Sequence, residues 1–220
     1  MQTIEFQGRN GSVPVGNIFC LGRNYAEHAR EMGAEAPGSP IVFLKPSTAV
    51  IRNGTAIVIP SISREMHHEV ELVVAIGKGG KHIPRSSAYD HVSGYGVGLD
   101  MTLRDLQARA KKDGLPWTVA KGFDTSAPVS EFVPADRIGD PHAQTIRCSV
   151  NGKERQRSST GSMLTRIDEI IEYISSVFTI GSGDLIFTGT PEGVGPVKAG
   201  DVVEAELLGF VKISHPVENE

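Results

Sequence analysis

No stretch of this sequence approaches the roughly 18 consecutive apolar residues that a membrane-spanning helix needs. Nor does it hold a run of Lys or Arg: the formal net charge is −4, which offers nucleic-acid phosphates no basic surface. Cysteine is scarce. Cys20 and Cys148 stand far apart, match no metal or redox spacing, and read as small buried hydrophobes in a reducing compartment. The first residues, MQTIEFQGRNGS, lack a basic region followed by an apolar run, so no secretory signal is expected and a cytoplasmic protein is. Nucleotide and hydrolase signatures are missing as well. GKGGK (77–81) lacks the spacing and Ser/Thr of a phosphate loop, and GYGVG (94–98) has no third glycine opening a helix. No G-x-S-x-G nucleophile elbow exists.

What is present suits a folded domain. The 220 residues are 39% apolar and 22% charged, ordinary values for a chain that buries a sizeable core. The 25 glycines and 13 prolines imply many turns. Residues 1–16 read as a hairpin-like segment within a single domain over 1–220. Strands are expected at Ile18–Leu21 and in IVFLK, AIVIP, HEVELVVAIG, SGYGVGLD, WTVAKGF, DLIFTGTP and VVEAELLGFVKI. Three helices are expected. One runs from Asn24 to Met32, with Asn24 as N-cap and Glu27 completing a capping box. A second runs from Thr102 to Lys112, with Thr102 as N-cap and Gly114 closing it. The third runs from Thr165 to Val177, capped by Thr165 and Asp168, with Ile167, Ile170, Ile171, Ile174 and Val177 as its apolar stripe. Strands outnumber helices without regular alternation, which predicts an α+β fold with a mixed sheet. The loop over 33–40 follows the first helix and is a candidate lid.

The residues that carry chemistry begin with MHHEVELVV (66–74). Glu69 and Glu71 are two apart on a strand and so share a face. A solvated strand face is one reading. The other starts from the apolar neighbours: two buried carboxylates repel and cost several kcal/mol each in desolvation unless a cation compensates. Asp100, ending GVGLD, supplies a third carboxylate. Three hard oxygen donors without a cysteine or a histidine pair suit Mg2+ or Mn2+. His67 and His68 read as polar donors beside the pair rather than as ligands. His28 and Glu31 are i, i+3 on the first helix, where a carboxylate orients an imidazole as a general base, or where the two form an exposed pair. Lys121, alone in an apolar stretch, either snorkels or balances the carboxylates and holds an anion. Thr190, in FTGTPEGVG, can offer a hydroxyl and an amide to a carboxylate or merely shape a turn.

Taken together, GRNYAEHAREM (22–32), FLKPSTA (43–49), HHEVELVVAIG (67–77), GYGVGLDMTLRDLQ (94–107), GLPWTVAKGFDTSAPV (114–129) and LIFTGTPEGVGPV (185–197) resemble the fumarylacetoacetate hydrolase superfamily. The closest likeness is to its short branch of acylpyruvate hydrolases and oxaloacetate decarboxylases. The resemblance implies a mixed β-sandwich or roll and usually a homodimer. It implies Mg2+ or Mn2+ on Glu69, Glu71 and Asp100, with Lys121 beside the metal and the His28–Glu31 dyad activating water. Arg23, Gln107 and Thr190 fall in segments that line the family's substrate site. The implied reaction is hydrolysis of the C–C bond of 3-acylpyruvates, 2-oxo acids with a second carbonyl, through a metal-stabilised pyruvate enolate, with oxaloacetate decarboxylation beside it. Oxaloacetate keto–enol tautomerisation and an aromatic-catabolism isomerase/decarboxylase are the alternatives within the family. A non-catalytic metal or 2-oxo-acid binding module is the alternative outside it, against which the dyad and Lys121 argue.

Overall fold

The computed structural model describes residues 2–31, 33 and 38–220. Its centre is an eight-stranded mixed sheet. Across it the order runs Ile41–Lys45, Ile18–Gly22, Leu185–Phe187, Val70–Ile76, Val92–Leu99, Ala127–Val129 and Val50–Arg52, with Val133–Pro134 also pairing onto Val92–Leu99. A five-stranded sheet runs Lys153–Ser159, Thr145–Val150, Val202–Leu207, Val211–Asn219, Ile57–Ile59, and a three-stranded one joins Thr102–Leu103, Met66–His68 and Gly195–Val197. Thr3–Glu5 pairs with Ser12–Pro14. The described residues hold α1 Ala26–Glu31, α2 Arg104–Asp113, α3 Thr118–Lys121, α4 Ala135–Ile138 and α5 Ile167–Val177. This strand-rich α+β architecture matches the expected fold class.

Period-two alternation sorts the central strand Val70–Ile76 between two cores. Val70, Leu72, Val74 and Ile76 join the larger cluster, while Val73 and Ala75 join a smaller one with Cys20, Phe132 and Phe187. Glu71 shares the parity of Val73 and Ala75, so it stands at the end of an apolar face. The neighbouring strand explains GYGVG. A Cβ at Gly94, Gly96 or Gly98 would lie within 2.8 Å of Phe6, Ser130 or Phe187 respectively. The glycines therefore make room for side chains stacked on that strand rather than for a nucleotide.

Four local expectations are corrected. WTVAKGF is not a strand; it carries α3. Thr118 and Val119 are exposed while Ala120 and Lys121 are buried, which is a helical pattern that a short apolar run does not distinguish from a strand. Thr102 is no N-cap: it pairs with His67 across a short ladder, and α2 starts at Arg104, closing on Gly114 at φ 66°. Asn24 does not cap α1. Its buried amide donates to the carbonyls of Thr165 and Thr188 and accepts from the Thr165 amide, pinning the α1 entry to two distant loops. For α5 the cap shifts by one residue, with Glu169 accepting from the Arg166 amide at 2.8 Å, and Asp168 instead pairs with Arg85. Ile167, Ile170, Ile171 and Ile174 are buried as expected, but Val177 is 57% exposed. Both cysteines are buried and free. The lid expected at 33–40 lies outside the described residues apart from Gly33 and Gly38–Pro40.

Candidate metal centre and active site

Glu69 sits in the break between Met66–His68 and Val70–Ile76, where the chain passes from one sheet to another. The Asp100 amide donates to the Glu69 carbonyl, and Asp100 follows directly on Val92–Leu99, the partner of Val70–Ile76. The ladder therefore brings residues about thirty apart in sequence to one sheet end. Glu69, Glu71 and Asp100 are all buried and place one oxygen each within 4.8 Å of one another.

Four groups tie down these oxygens. The Lys121 ammonium bridges Glu69 Oε2 and Asp100 Oδ2 at 2.7 Å each and reaches Thr102 Oγ1 at 2.6 Å. Arg104 Nη2 lies 2.5 Å from Glu69 Oε1. Lys45 Nζ, itself buried, is 2.8 Å from Asp100 Oδ1. The Gly189 amide donates to Glu71 Oε2 at 2.6 Å. Gly189 is required there: its φ is 94°, and a Cβ would come within 2.6 Å of the Asn24 Cβ.

The electrostatics divide the triad. Burial opposes ionisation of Glu69, but attraction to Lys121 and Arg104 outweighs it and holds its carboxyl well below the usual range. Glu71 goes the other way, because burial and then repulsion by Asp100 and Glu69 push it well above. Lys121 is raised: burial works against its charge, yet Asp100 and Glu69 win. A divalent cation fits this set. Among the described residues the buried Asp100 Oδ1 accepts no hydrogen bond of regular geometry, its one close neighbour being the Lys45 ammonium at 2.8 Å. The donors are hard oxygens only, and a cation would relieve the repulsion on Glu71.

Most of the other expected residues meet the same cleft. His28, Arg23, Gln107 and Thr190 line it beside the triad. His28 is buried, and its Nδ1 lies 3.2 Å from Glu31 Oε2. The Gly193 amide donates to Glu31 Oε1 at 3.1 Å, so the loop after Phe187 uses one glycine amide on a triad carboxylate and another on the dyad carboxylate. Gln107 accepts from Arg104 Nη1 at 2.7 Å. Thr190 gives its hydroxyl proton to the Val70 carbonyl. Arg23 lines the cleft from a left-handed backbone position, φ 59°, which costs a non-glycine residue about 1 kcal/mol or more. His67 accepts from Arg104 Nε, and His68 contacts Gln156.

Sequence reasoning missed four residues here: Lys45, Arg104, Lys111 and Gln156. Gln156 is 1% exposed and ties three segments together. Its Oε1 accepts from His68 Nδ1 at 2.9 Å and the Val70 amide at 3.1 Å; its Nε2 donates to Thr190 Oγ1 and the Pro191 carbonyl at 2.9 Å each. Burial lowers the His68 pKa, consistent with a neutral ring whose Nδ1–H is the donor. Gln156 lies on the hairpin Thr145–Val150/Lys153–Ser159, which the sequence reading passed over although Asn151–Gly152 is the strongest short hairpin signal. Both turn residues have positive φ, 53° and 73°, as a type I′ turn requires. Lys45 and Arg104 fall inside two of the motif strings, but their carboxylate partners lie 35 or more positions away, so local pattern gave neither a role.

The profile of the fumarylacetoacetate (FAA) hydrolase C-terminal family matches residues 17–218. The chain is 50% identical over 202 residues to mitochondrial oxaloacetate tautomerase FAHD1 of Mus musculus, covering 92% of this chain and 91% of the relative. It is 50% identical over 194 residues to mitochondrial oxaloacetate decarboxylase of Dictyostelium discoideum, covering 88% and 89%. Among solved structures it is similar to fumarylpyruvate hydrolase from Pseudomonas aeruginosa in complex with Mn2+ and pyruvate. That likeness has a TM-score of 0.96 and 42% identity, and covers 100% of this chain and 96% of that one.

Proposed function

Because the chain belongs to the fumarylacetoacetate hydrolase family, with enzymes as its relatives, we propose that it is a divalent-metal-dependent hydrolase of acylpyruvates that also acts on oxaloacetate. The observation that carries this reading is the buried triad of carboxylates in one cleft with His28, whose ring is paired with Glu31. Mg2+ or Mn2+ held by Glu69, Glu71 and Asp100 would supply Lewis-acid polarisation of the 2-oxo acid.

The chain's own groups account for the remaining steps. Glu31, held by the Gly193 amide, engages His28 Nδ1 and leaves Nε2 as the base. His28 takes a proton from water, and the hydroxide attacks the distal carbonyl of the acylpyruvate. The C–C bond between that carbonyl carbon and the methylene breaks. Its electron pair passes to the pyruvate fragment as an enolate, which then takes a proton at carbon. Products are one carboxylate and one pyruvate. Lys121 keeps its charge in the buried site and stabilises the enolate. Oxaloacetate reaches the same enolate by losing CO2 without water, and its keto–enol exchange needs only proton transfer at the carbon between the two carbonyls. The sequence likeness to a tautomerase favours that exchange as a second activity.

The 220 residues are proposed to act as one catalytic domain, as a homodimer, in the cytoplasm. An exposed apolar groove along Ile41–Pro46 and Leu115–Trp117, with Leu44 and Leu115 open to solvent, supports the dimer. No helix of the described residues is long and apolar enough to cross a membrane. The deciding experiment gives the Mg2+-loaded protein acetylpyruvate, fumarylpyruvate and oxaloacetate, and follows hydrolysis, CO2 release and keto–enol exchange separately. One pyruvate per acylpyruvate consumed, abolished by chelator, is expected. Absence of metal-dependent turnover with all three substrates overturns the reading.

A further inference from the structure

We propose that Lys111 and Arg23 form the specificity end of the cleft and hold the distal carboxylate of a dianionic 2-oxo acid. The proposal rests on the reading of this cleft as a 2-oxo-acid site and adds the residues that recognise the far end of the substrate.

Charge is the first observation. Five cationic side chains, Arg23, Lys45, Arg104, Lys111 and Lys121, line or border a cleft with three buried carboxylates. Lys45, Arg104 and Lys121 are all engaged with those carboxylates. Arg23 and Lys111 make no ion pair or side-chain hydrogen bond with the described residues, though both line the cleft and both are partly buried. A monoanionic 2-oxo acid has its one carboxylate next to the 2-oxo group, at the triad, and leaves these two cations without an anion among the described residues. A second, distal carboxylate compensates them.

Geometry is the second observation. Phe43 and Trp117 pack with ring centroids 5.8 Å apart and form one wall. The Lys121 ammonium stands 5.1 Å over Phe43, and that of Lys111 stands 5.2 Å over Trp117. Each of these two ammoniums has its own ring, and of the two Lys121 is the one paired with the triad. The cation–π contact holds the Lys111 stem on the wall and leaves its donors for a ligand. Arg23 is kept at its left-handed φ between Gly22 and the buried Asn24, whose amide is anchored on three sides. Backbone strain of this kind persists where surrounding structure enforces it, and it clusters at ligand clamps. Burial, followed by repulsion from Arg104 and Arg23, pushes Lys111 down to about 8, as expected for a cation placed where an anion is to arrive.

The test uses the Mg2+-loaded protein and the variants Lys111→Met, which keeps the stem over Trp117, and Lys111→Arg, which keeps the charge. Steady-state KM is measured for fumarylpyruvate, a dianion, and acetylpyruvate, a monoanion. Lys111→Met is expected to raise KM for fumarylpyruvate about 10- to 100-fold more than for acetylpyruvate, the loss of one charge-assisted contact. Lys111→Arg is expected to restore most of that difference. Equal factors for the two substrates overturn the proposal. A parallel calorimetric titration with 2-oxoglutarate and 2-oxobutyrate needs no turnover. If wild type hydrolyses neither acylpyruvate, the proposed reaction fails. The carboxylate site then stands if wild type prefers 2-oxoglutarate and Lys111→Met does not, and falls if wild type shows no preference.

Discussion

Replacing Gln156 with Leu removes four hydrogen bonds at nearly constant volume, and the structure says what each loss does. The Val70 amide and His68 Nδ1–H lose their acceptor in a buried setting. Each stranded donor costs about 1–3 kcal/mol, and the two share one acceptor, so about 3 kcal/mol in total is the working figure. For a chain of this size that is a fall of roughly 6–12 °C in Tm. The Pro191 carbonyl loses its donor too, while the Thr190 hydroxyl keeps its bond to Val70. The functional consequence follows from position. Thr190 and Pro191 lie between Gly189, whose amide holds Glu71, and Gly193, whose amide holds Glu31. Loosening this loop displaces a proposed metal ligand and the carboxylate behind His28 together. We expect Mn2+ affinity, read by calorimetry, and kcat for acylpyruvate hydrolysis each to fall at least about tenfold, by analogy with other groups that orient metal ligands. Gln156→Leu with unchanged Tm, Mn2+ affinity and kcat would refute the argument that this hairpin organises the site.

Glu69→Ala or Asp100→Ala should abolish Mn2+ binding and metal-dependent turnover, and a chelator-treated variant with full activity would remove the metal assignment. His28→Ala should lower acylpyruvate hydrolysis by about 10²-fold or more, the usual worth of a general base, and oxaloacetate decarboxylation far less. Equal losses in the two assays count against water activation. Lys111 should impose a pH dependence on KM for dianionic substrates. Its folded pKa is lowered to about 8, by burial first and then by Arg104 and Arg23, with Glu69 opposing and Lys121 adding to the shift. The binding ammonium is therefore present below that pH and lost above it. Between pH 7 and 9 its charged fraction falls from about nine-tenths to about one-tenth, so KM should rise by up to roughly tenfold in wild type and stay flat in Lys111→Met. A flat wild-type profile contradicts the assignment.

The parts of the site legible in the sequence were those with a local period. Glu69 and Glu71 are two apart in a strand-like run, His28 and Glu31 are three apart on a helix, and the isoleucines of α5 repeat at helical spacing. Where local reading failed, a short segment answered to a distant partner. Asn24 resembles an N-cap but is held by Thr165 and Thr188. TVAK resembles a strand but coils, with Lys121 reaching Glu69 and Asp100. The Asn151–Gly152 turn carried a readable signal whose use, the delivery of Gln156 to the site, had none.

By itself, the sequence determined the strand-rich α+β class and the family, and it offered Glu69, Glu71 and Asp100 as candidate ligands. Those follow from alternation, turn residues and motif strings that need no partner to be read. Only the tertiary structure decided that Asp100 meets Glu69 and Glu71, and that Lys45, Arg104 and Lys121 rather than solvent face them. It alone brought two glycine amides from one loop to hold Glu71 and Glu31. The physical reason is that a buried charge takes its state from whatever surrounds it in space. Glu69 is held ionised and Glu71 is pushed toward protonation although they stand two residues apart on one chain.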